Sequence, residues 1–589
     1  FPDCSNMCHE ASGVALTESI GVGKGTVTLE DFDHADAIFV LGQNPGTNHP
    51  RMLEPLRQAL ERGAQVVCFN PLRERGLERF QHPQKPIEML ANQDAPTHSL
   101  YLRPNLGGDL AILRGIAKYL LQWEREALGS GGPAVFDRDF IAEHTHAVDA
   151  YLEAIDATPW AQIEQQSGLE RDAIGQAAAI YRDAGRTIVC WAMGITQHHH
   201  SVATIQEIAN LLLLRGNLGK PGAGACPVRG HSNVQGDRTM GINERPPLAL
   251  LDALQRQFGL PMPRQPGHNK VKVFIGLGGN FAQATPDSPR TQQALRNCAL
   301  TVQISTKLNR SHLTMGRDAL ILPCLGRTDI DRQSCGPQAV TVEDSFSMIH
   351  ASRGQLEPLS TQMRSEPAIV AGIAAATLGK RPVDWLWLVE DYARIRELIA
   401  ATIPGFAGFD HRLHRPGGFY LGNAAARREW NTASGRAEFK AHALPADLLP
   451  EQARWPGMKA DLILQTLRSH DQYNTTLYGL DDRYRGVKGM RKVVFVNPAD
   501  IQRLGLEAGQ QVDLVSLWDD GIERRVSGFT LLAYDTPPGQ AAAYYPETNP
   551  LVPLESFGAR SYTPTSKSVG IKLEPSVGRN NQIALGSCS

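Results

Sequence analysis

Near the start of the chain, CSNMCHEASG sets Cys4 and Cys8 four residues apart with His9 directly after the second. A thiolate is a soft metal ligand and a nucleophile, and an imidazole, titrating at about 6.5 when unperturbed, can take up a proton beside it. Three readings share the pattern: half of a metal site, a reactive thiol with its proton acceptor, or two ordinary cysteines. The nine cysteines (Cys4, Cys8, Cys68, Cys190, Cys226, Cys298, Cys324, Cys335, Cys588) are scattered and odd in number. That excludes a disulfide framework and suits a reducing, cytoplasmic compartment. A second cluster, His198 to His200, is no ready metal site. Adjacent side chains alternate faces in a strand and splay about 100° apart in a helix, so one of the three lining a ligand pocket is the expectation.

The densest chemistry lies in RGNLGKPGAGACPVRGHSNVQGDRTMG, Arg215 to Gly241, where seven glycines alternate with basic and amide side chains. Backbone N–H groups and cations in such a loop can surround a pyrophosphate. Two further tetrapeptides match each other, LGQN at Leu41 to Asn44 and LGGN at Leu277 to Asn280. Glycine permits close approach of a phosphate, and asparagine offers both a donor and an acceptor to a base or ribose. Together they suggest two related nucleotide sites. No G-x-G-x-x-G occurs at a strand-to-helix turn, which weighs against a nicotinamide or flavin dehydrogenase.

The elements that must position these groups read as alternating strands and helices. ADAIFVLG is a buried strand, HPRMLEPLRQALERG sets Leu53, Leu56 and Leu60 on one helical face, and AQVVCFNP is a strand again. The grammar recurs at RTIVCWAMGITQHHH with SVATIQEIANLLLLRG, and at VKVFIGLGGN with ALTVQIS. The expected fold is α/β, with doubly wound, mostly parallel sheets of dinucleotide-binding type, whose ligands lie beyond the carboxyl ends of the strands. From about residue 458 the pattern changes. DLILQTL, KVVFVNPADIQRLGLEAGQQVDLVSL and the strand-and-turn sequence after them predict a C-terminal β-barrel. The expected division is 1–347, 348–457 and 458–589.

With 589 residues, 42% hydrophobic and 20% charged, the chain is long enough for several domains. Its 59 basic and 61 acidic residues give a formal charge of −2, so nothing recommends nucleic acid as a partner. The apolar run NLLLLRG is far too short to span a membrane, so direct insertion is not expected.

NMCHEASGVALTESIGVGKGT, LGQNPGTNHP, MGITQ, GNLGKPGAGACPVRGHSNVQG and VNPADIQRLGLEAGQQVDLVS, in that order along the chain, resemble the molybdopterin oxidoreductase superfamily. The likeness is to formate dehydrogenase α-subunits and their YdeP-like relatives. The resemblance implies a bis-molybdopterin guanine dinucleotide cofactor carrying molybdenum or tungsten, and a barrel of six-stranded double-psi type. It implies Cys8 as metal ligand and His9 as proton acceptor. It also implies cofactor contacts from Asn44, Asn48, Asn70, Asp109, Met193, Gly194, Thr196 and Gln197. Further contacts are implied from Asn217, Gly219, Lys220, Arg229, Gly230, Asn233, Gln235 and Gly236, from Gly278 and Asn280, and from Arg468, Ser469, His470 and Asn497 in the barrel. Cys4 matches no family ligand.

Formate dehydrogenases hold the substrate carboxylate with an arginine. Aligning TVEDSFSMIHASRG with their segment puts Ser345 in its place. A serine cannot make the bidentate, charge-assisted pair of a guanidinium, which argues against formate as the physiological substrate. The family's iron–sulfur cluster has no cysteine pattern here, so a 4Fe–4S cluster is expected only in a segment preceding Phe1. The expected activity is two-electron oxidation or reduction of a small substrate, with electrons leaving through that cluster or a partner protein. The rival expectation is a cofactor-free structural subunit of a redox complex, which would have little use for Cys8, His9 and the glycine-rich loop together.

Overall fold

A computed structural model describes residues 6–576, apart from 83, 87–89, 91–93, 243–245, 247, 259–270, 380–381, 454–459 and 476. Cys4 and Cys588 lie outside the described residues. Strands β1 (Ala37–Leu41), β2 (Gln65–Phe69), β3 (Leu100–Leu102), β4 (Thr187–Trp191) and β5 (Gly224–Pro227) form one sheet in the order β3-β2-β1-β4-β5. Every pairing in it is parallel. Strand alternation explains how it is covered. Phe39, Leu41, Val67, Phe69, Val189 and Trp191 enter one core with residues of α1 (Glu10–Ile20), α3 (Asp109–Ser130) and α4 (Ser201–Leu214). Ile38, Val40, Val66, Cys68, Ile188 and Cys190 enter the other with Leu56 and Ala59 of α2 (Leu53–Glu61). Both faces are dry, which is why the strands are apolar throughout rather than alternating.

Helix α4 packs between α1 and α3 and is buried almost all round. A helix so placed needs its polar groups paired. Glu207 therefore meets Arg114 of α3 at 2.8 Å and accepts the Tyr151 hydroxyl at 2.9 Å.

The third expected βαβ unit separates from the first two. β6 (Val273–Leu277), β7 (Leu300–Ser305) and β8 (Asp318–Pro323) form their own parallel sheet in the order β8-β7-β6. The two matched tetrapeptides occupy equivalent turns. Gly42 and Gly278 both have positive φ, 56° and 67°. Their N–H groups donate to Phe69 and Ile304, each at 2.9 Å, on the neighbouring strand. Asn44 and Asn280 then cap short helices from nearly the same backbone conformation, φ −123° and −120°.

The C-terminal strands close a barrel in the order Leu462–Leu467, Gln540–Tyr544, Val493–Val496, Arg525–Ala533, Gln511–Ser516, Val569–Pro575. Two of its pairings are parallel, and the rest antiparallel. Alternate residues such as Leu464, Val494, Leu514 and Leu531 fill its interior.

The turns after β1 and β4 touch through glycines. Gly194 N–H donates to Gly42 C=O at 3.0 Å, and a Cβ on Gly194 would lie 2.5 Å from Gly42 Cα. No side chain fits there without moving one strand end. Gly194→Val is expected to cost about 1–3 kcal/mol by overpacking, read as a lowered urea midpoint with unchanged m-value.

Candidate functional site

The carboxyl ends of β1, β2 and β4 open into a cleft. Of the expected contacts, Asn44, Asn48, Asn70, Asp109, Met193, Gly194 and Arg468 line it. Asn70 braces the first turn, donating to Gln43 C=O at 3.0 Å and accepting Leu72 N–H at 3.1 Å. His198, from the histidine triple, faces the same cleft, while His199 turns to Phe557 C=O at 3.1 Å. Lys567 and Arg485, the latter paired with Glu74 of the same lining, join Arg468 on the wall that the barrel supplies. Burial pushes the Lys567 ammonium down to about 7 and the Asp109 carboxyl up to about 7.

Thr196 and Gln197 join this cleft to the cysteine. Thr196 Oγ1 donates to Cys8 C=O at 2.5 Å and Gln197 Nε2 to Met7 C=O at 2.8 Å. Cys8 is 3% exposed, at the entry to α1, and His9 is wholly buried. Here the structure departs from the expected proton acceptor. His9 Nε2 faces Val228 C=O at 2.9 Å and Nδ1 faces the Ser12 hydroxyl at 3.0 Å, so both ring nitrogens are committed. Burial, and then the Arg229 guanidinium, push its pKa down to about 3, holding the ring neutral.

Arg229 is the unexpected centre of this end. Its side chain is buried and within electrostatic reach of Cys8. Nη2 donates to Gly23 C=O at 2.9 Å, but Nε and Nη1 have no hydrogen-bond partner among the described residues. Ser345 lies against it, accepting the Arg229 N–H at 3.2 Å, and His49 Nε2 meets Arg229 C=O at 3.0 Å. The expectation that a serine at 345 leaves this end without a guanidinium is thereby corrected. The guanidinium comes from the glycine-rich loop, and Ser345 steadies its backbone.

Beneath the loop, buried Glu343 gathers Lys24 at 2.6 Å, Gln235 at 2.9 Å and Thr239 at 2.5 Å. Its own N–H donates to Asn233 at 3.0 Å. Gly236 is required there, since a Cβ would fall 2.0 Å from Asn233 Oδ1. Gly230 borders Met193.

Several expected contacts lie elsewhere. β5 splits the stretch Arg215 to Gly241, so its first part turns at the amino ends of the strands, on the far side of the sheet from the cleft. There Asn217 accepts Thr187 N–H, Lys220 donates to Gly185 C=O at 2.8 Å, and Gly219 abuts Arg428. These three are structural. Asn497 caps the helix Pro498–Arg503 and donates to Thr536 C=O at 2.6 Å, leaving it committed as well. Asn280 is buried and donates to Thr475 Oγ1 at 3.0 Å, while Gly278, near Glu366, is exposed, so the second turn lies outside this cleft. Ser469 accepts from Arg491 at 2.7 Å, and His470 packs on Tyr484.

The residues fit a pterin dinucleotide. The cleft offers a glycine-lined approach, and buried nitrogens of Arg485 (Nε) and His198 (Nδ1) have no partner among the described residues. It also presents a carboxyl at Asp109, which can accept the adjacent N–H donors of a guanine edge. Cys8, at the other end, supplies a soft ligand.

Two tests follow. Glu343→Gln leaves Lys24 with a neutral partner and is expected to cost on the order of 3 kcal/mol in urea denaturation. For Asp109, the folded pKa lies above the unfolded value of 3.8. Its ionisation therefore costs stability as pH rises from about 4 through about 7. In the unliganded protein Asp109→Asn should match wild type at pH 4 and exceed it at pH 8.

Residues 3–313 match the family Molybdopterin oxidoreductase and residues 462–572 the Molydopterin dinucleotide binding domain. An uncharacterized oxidoreductase of Mycobacterium tuberculosis H37Rv is 52% identical over 592 residues, covering 98% of this chain and 74% of that protein. Protein YdeP of Escherichia coli K12 is 47% identical over 589 residues, covering 98% and 77%. Formate dehydrogenase H of the same organism is 28% identical over 238 residues, 40% of this chain and 29% of that one. The fold resembles that of acetylene hydratase from Pelobacter acetylenicus, at a TM-score of 0.65 and 14% identity over 97% and 82% of the two chains. Matched over more than half its length and related end to end to YdeP, this chain belongs to the molybdopterin oxidoreductase family, as a YdeP-like enzyme.

Proposed function

We propose that the protein is a bis-molybdopterin guanine dinucleotide enzyme, with molybdenum or tungsten, that oxidises or reduces a small carboxylate or like-sized oxyanion by two electrons. The observation that carries this reading is Arg229, a buried guanidinium beside Cys8 with Nε and Nη1 unmet. Buried cationic donors left unmet are matched by the acceptor oxygens of an anion.

The cofactor supplies the redox chemistry when bound. The chain supplies the rest. Cys8 would hold the metal, and the cleft residues from Asn44 to Lys567 the dinucleotide. Arg229 orients the anion, with Ser345 and Gly23 fixing its backbone and one guanidinium nitrogen. The low exposure of Cys8, His9 and Arg229 keeps water out. A proton released here has an acceptor in His49 Nδ1, which has no partner among the described residues because Nε2 serves Arg229 C=O. Electrons would leave through a 4Fe–4S cluster in a preceding segment or through a partner protein. A reducing, cytoplasmic setting suits the chain: no disulfide is present among the described residues, and no described helix is long and apolar enough to cross a membrane.

The test is dye reduction by the full-length, metal-loaded protein with formate and other small carboxylates. Arg229→Gln should raise KM for the accepted carboxylate about 10- to 100-fold through loss of charge-assisted hydrogen bonds. An unchanged KM, or no turnover of any small carboxylate by wild type, contradicts the reading.

A further inference from the structure

The two parallel sheets are covered differently. In the first, both faces are buried, as a parallel sheet requires. In the second, Val273, Ile275 and Leu277 of β6 lie in register with Leu300, Val302 and Ile304 of β7 and so share their face. Helix α5 (Glu366–Leu378) covers that face over β7 and β8, where Ile369 and Ile373 join the core of Val302 and Ile304. It stops short of β6. Val302 is 4% exposed, whereas Val273, Ile275 and Leu277 are 51%, 48% and 51% exposed. The helix sequence EPAIVAGIAAATL is apolar nearly all round, yet Val370 and Leu378 are bare. A helix of that composition belongs between two layers.

The edge is as open as the face. Among the described residues β6 pairs with β7 alone, and VFIGL contains no proline, charge or bulge to blunt it. The surrounding surface continues the pattern. Of the large apolar side chains exposed among the described residues, seventeen lie between 271 and 390 and one, Leu128, between 95 and 240. The exposure is thus concentrated on the second sheet and the segments that follow it, as on a surface built to be covered.

Chain order says where the cover comes from. β6, β7 and β8 step across their sheet in sequence. In a doubly wound sheet such a half pairs, through its first strand, with the first strand of an earlier half. β1 to β5 are committed to the other sheet, and the remaining described strands before β6 are paired elsewhere. This chain covers 74% and 77% of its Mycobacterium tuberculosis and YdeP relatives, so those proteins have chain to spare beyond the match.

We infer that a βα segment preceding Phe1 in the same polypeptide adds a strand to the free edge of β6 and lays a helix on Val273, Ile275 and Leu277 beside α5. The LGGN turn at the carboxyl end of β6 then sits at the switch point of a complete doubly wound sheet, where such sheets bind ligands. The exposed Gly278 faces the second wall of that crevice, which the upstream half supplies.

The experiment uses the full-length protein and two readouts. Hydrogen–deuterium exchange over Val273 to Leu277 reads the edge. A strand paired on one side leaves alternate amides open to water, whereas pairing on both sides should slow all of them by at least ~100-fold. Full protection is the expected result. Photo-cross-linking reads the occupant, through Val273→p-benzoylphenylalanine, or the same substitution at exposed Lys272 if the first variant does not fold. The expected adduct joins β6 to a segment ahead of Phe1 within one chain. Open alternate amides would overturn the inference. So would the lack of any adduct, or an adduct to a second copy, to another protein or to residues 1–589. Neither readout involves metal, pterin or substrate, so the inference stands or falls apart from the redox reading.

Discussion

A guanidinium buried with two N–H-bearing nitrogens unmet is costly, and the surroundings of Arg229 are organised around keeping it so. Gly23 C=O satisfies Nη2, and Ser345 and His49 satisfy the Arg229 backbone. Below, Glu343 draws Lys24, Gln235 and Thr239 together and so ties down the loop that follows Arg229. A site held open in this way would take the proposed anion with little cost of reorganisation.

The parallel sheet decides where that site falls. All five strands end on the same side, so the turns after β1 and β4 and the loop after β5 converge there without needing neighbouring sequence. Gly42 and Gly194 let two of these turns touch. Thr196 and Gln197, one turn further on, reach Cys8 and Met7 by their side chains. A single short segment thus binds the dinucleotide cleft on one side to the cysteine on the other. The barrel closes the cleft by presenting Arg468, Arg485 and Lys567, three basic side chains from loops far apart in sequence.

How much of this was legible in the sequence follows from which residues act locally. Apolar runs such as AIFVL and TIVCW announce doubly covered strands, and LGQN and LGGN announce equivalent turns, because strand and turn preferences are properties of adjacent residues. The C-terminal barrel was readable for the same reason. The division of Arg215 to Gly241 was not. GACP is a four-residue strand with no marked β-propensity, and it is fixed by pairing with Cys190 and its neighbours. Its presence sends Asn217, Gly219 and Lys220 to the far side of the sheet from Arg229. Lys567 carries no local signal, since its meaning arises only when the barrel's last strand pairs with its first. His9 was recognisable as a residue of interest from its place after Cys8. Its commitment to Val228 and Ser12 depends on a contact across more than two hundred residues.

The account stands on one claim, that these residues hold a metal through Cys8 and a pterin dinucleotide in the cleft. Metal and pterin analysis of the intact protein, purified from cells supplied with molybdate and tungstate, tests it most directly. The account predicts about one molybdenum or tungsten per chain, with two pterin dinucleotides for each metal. A folded, homogeneous protein that carries neither metal nor pterin under those conditions would contradict it.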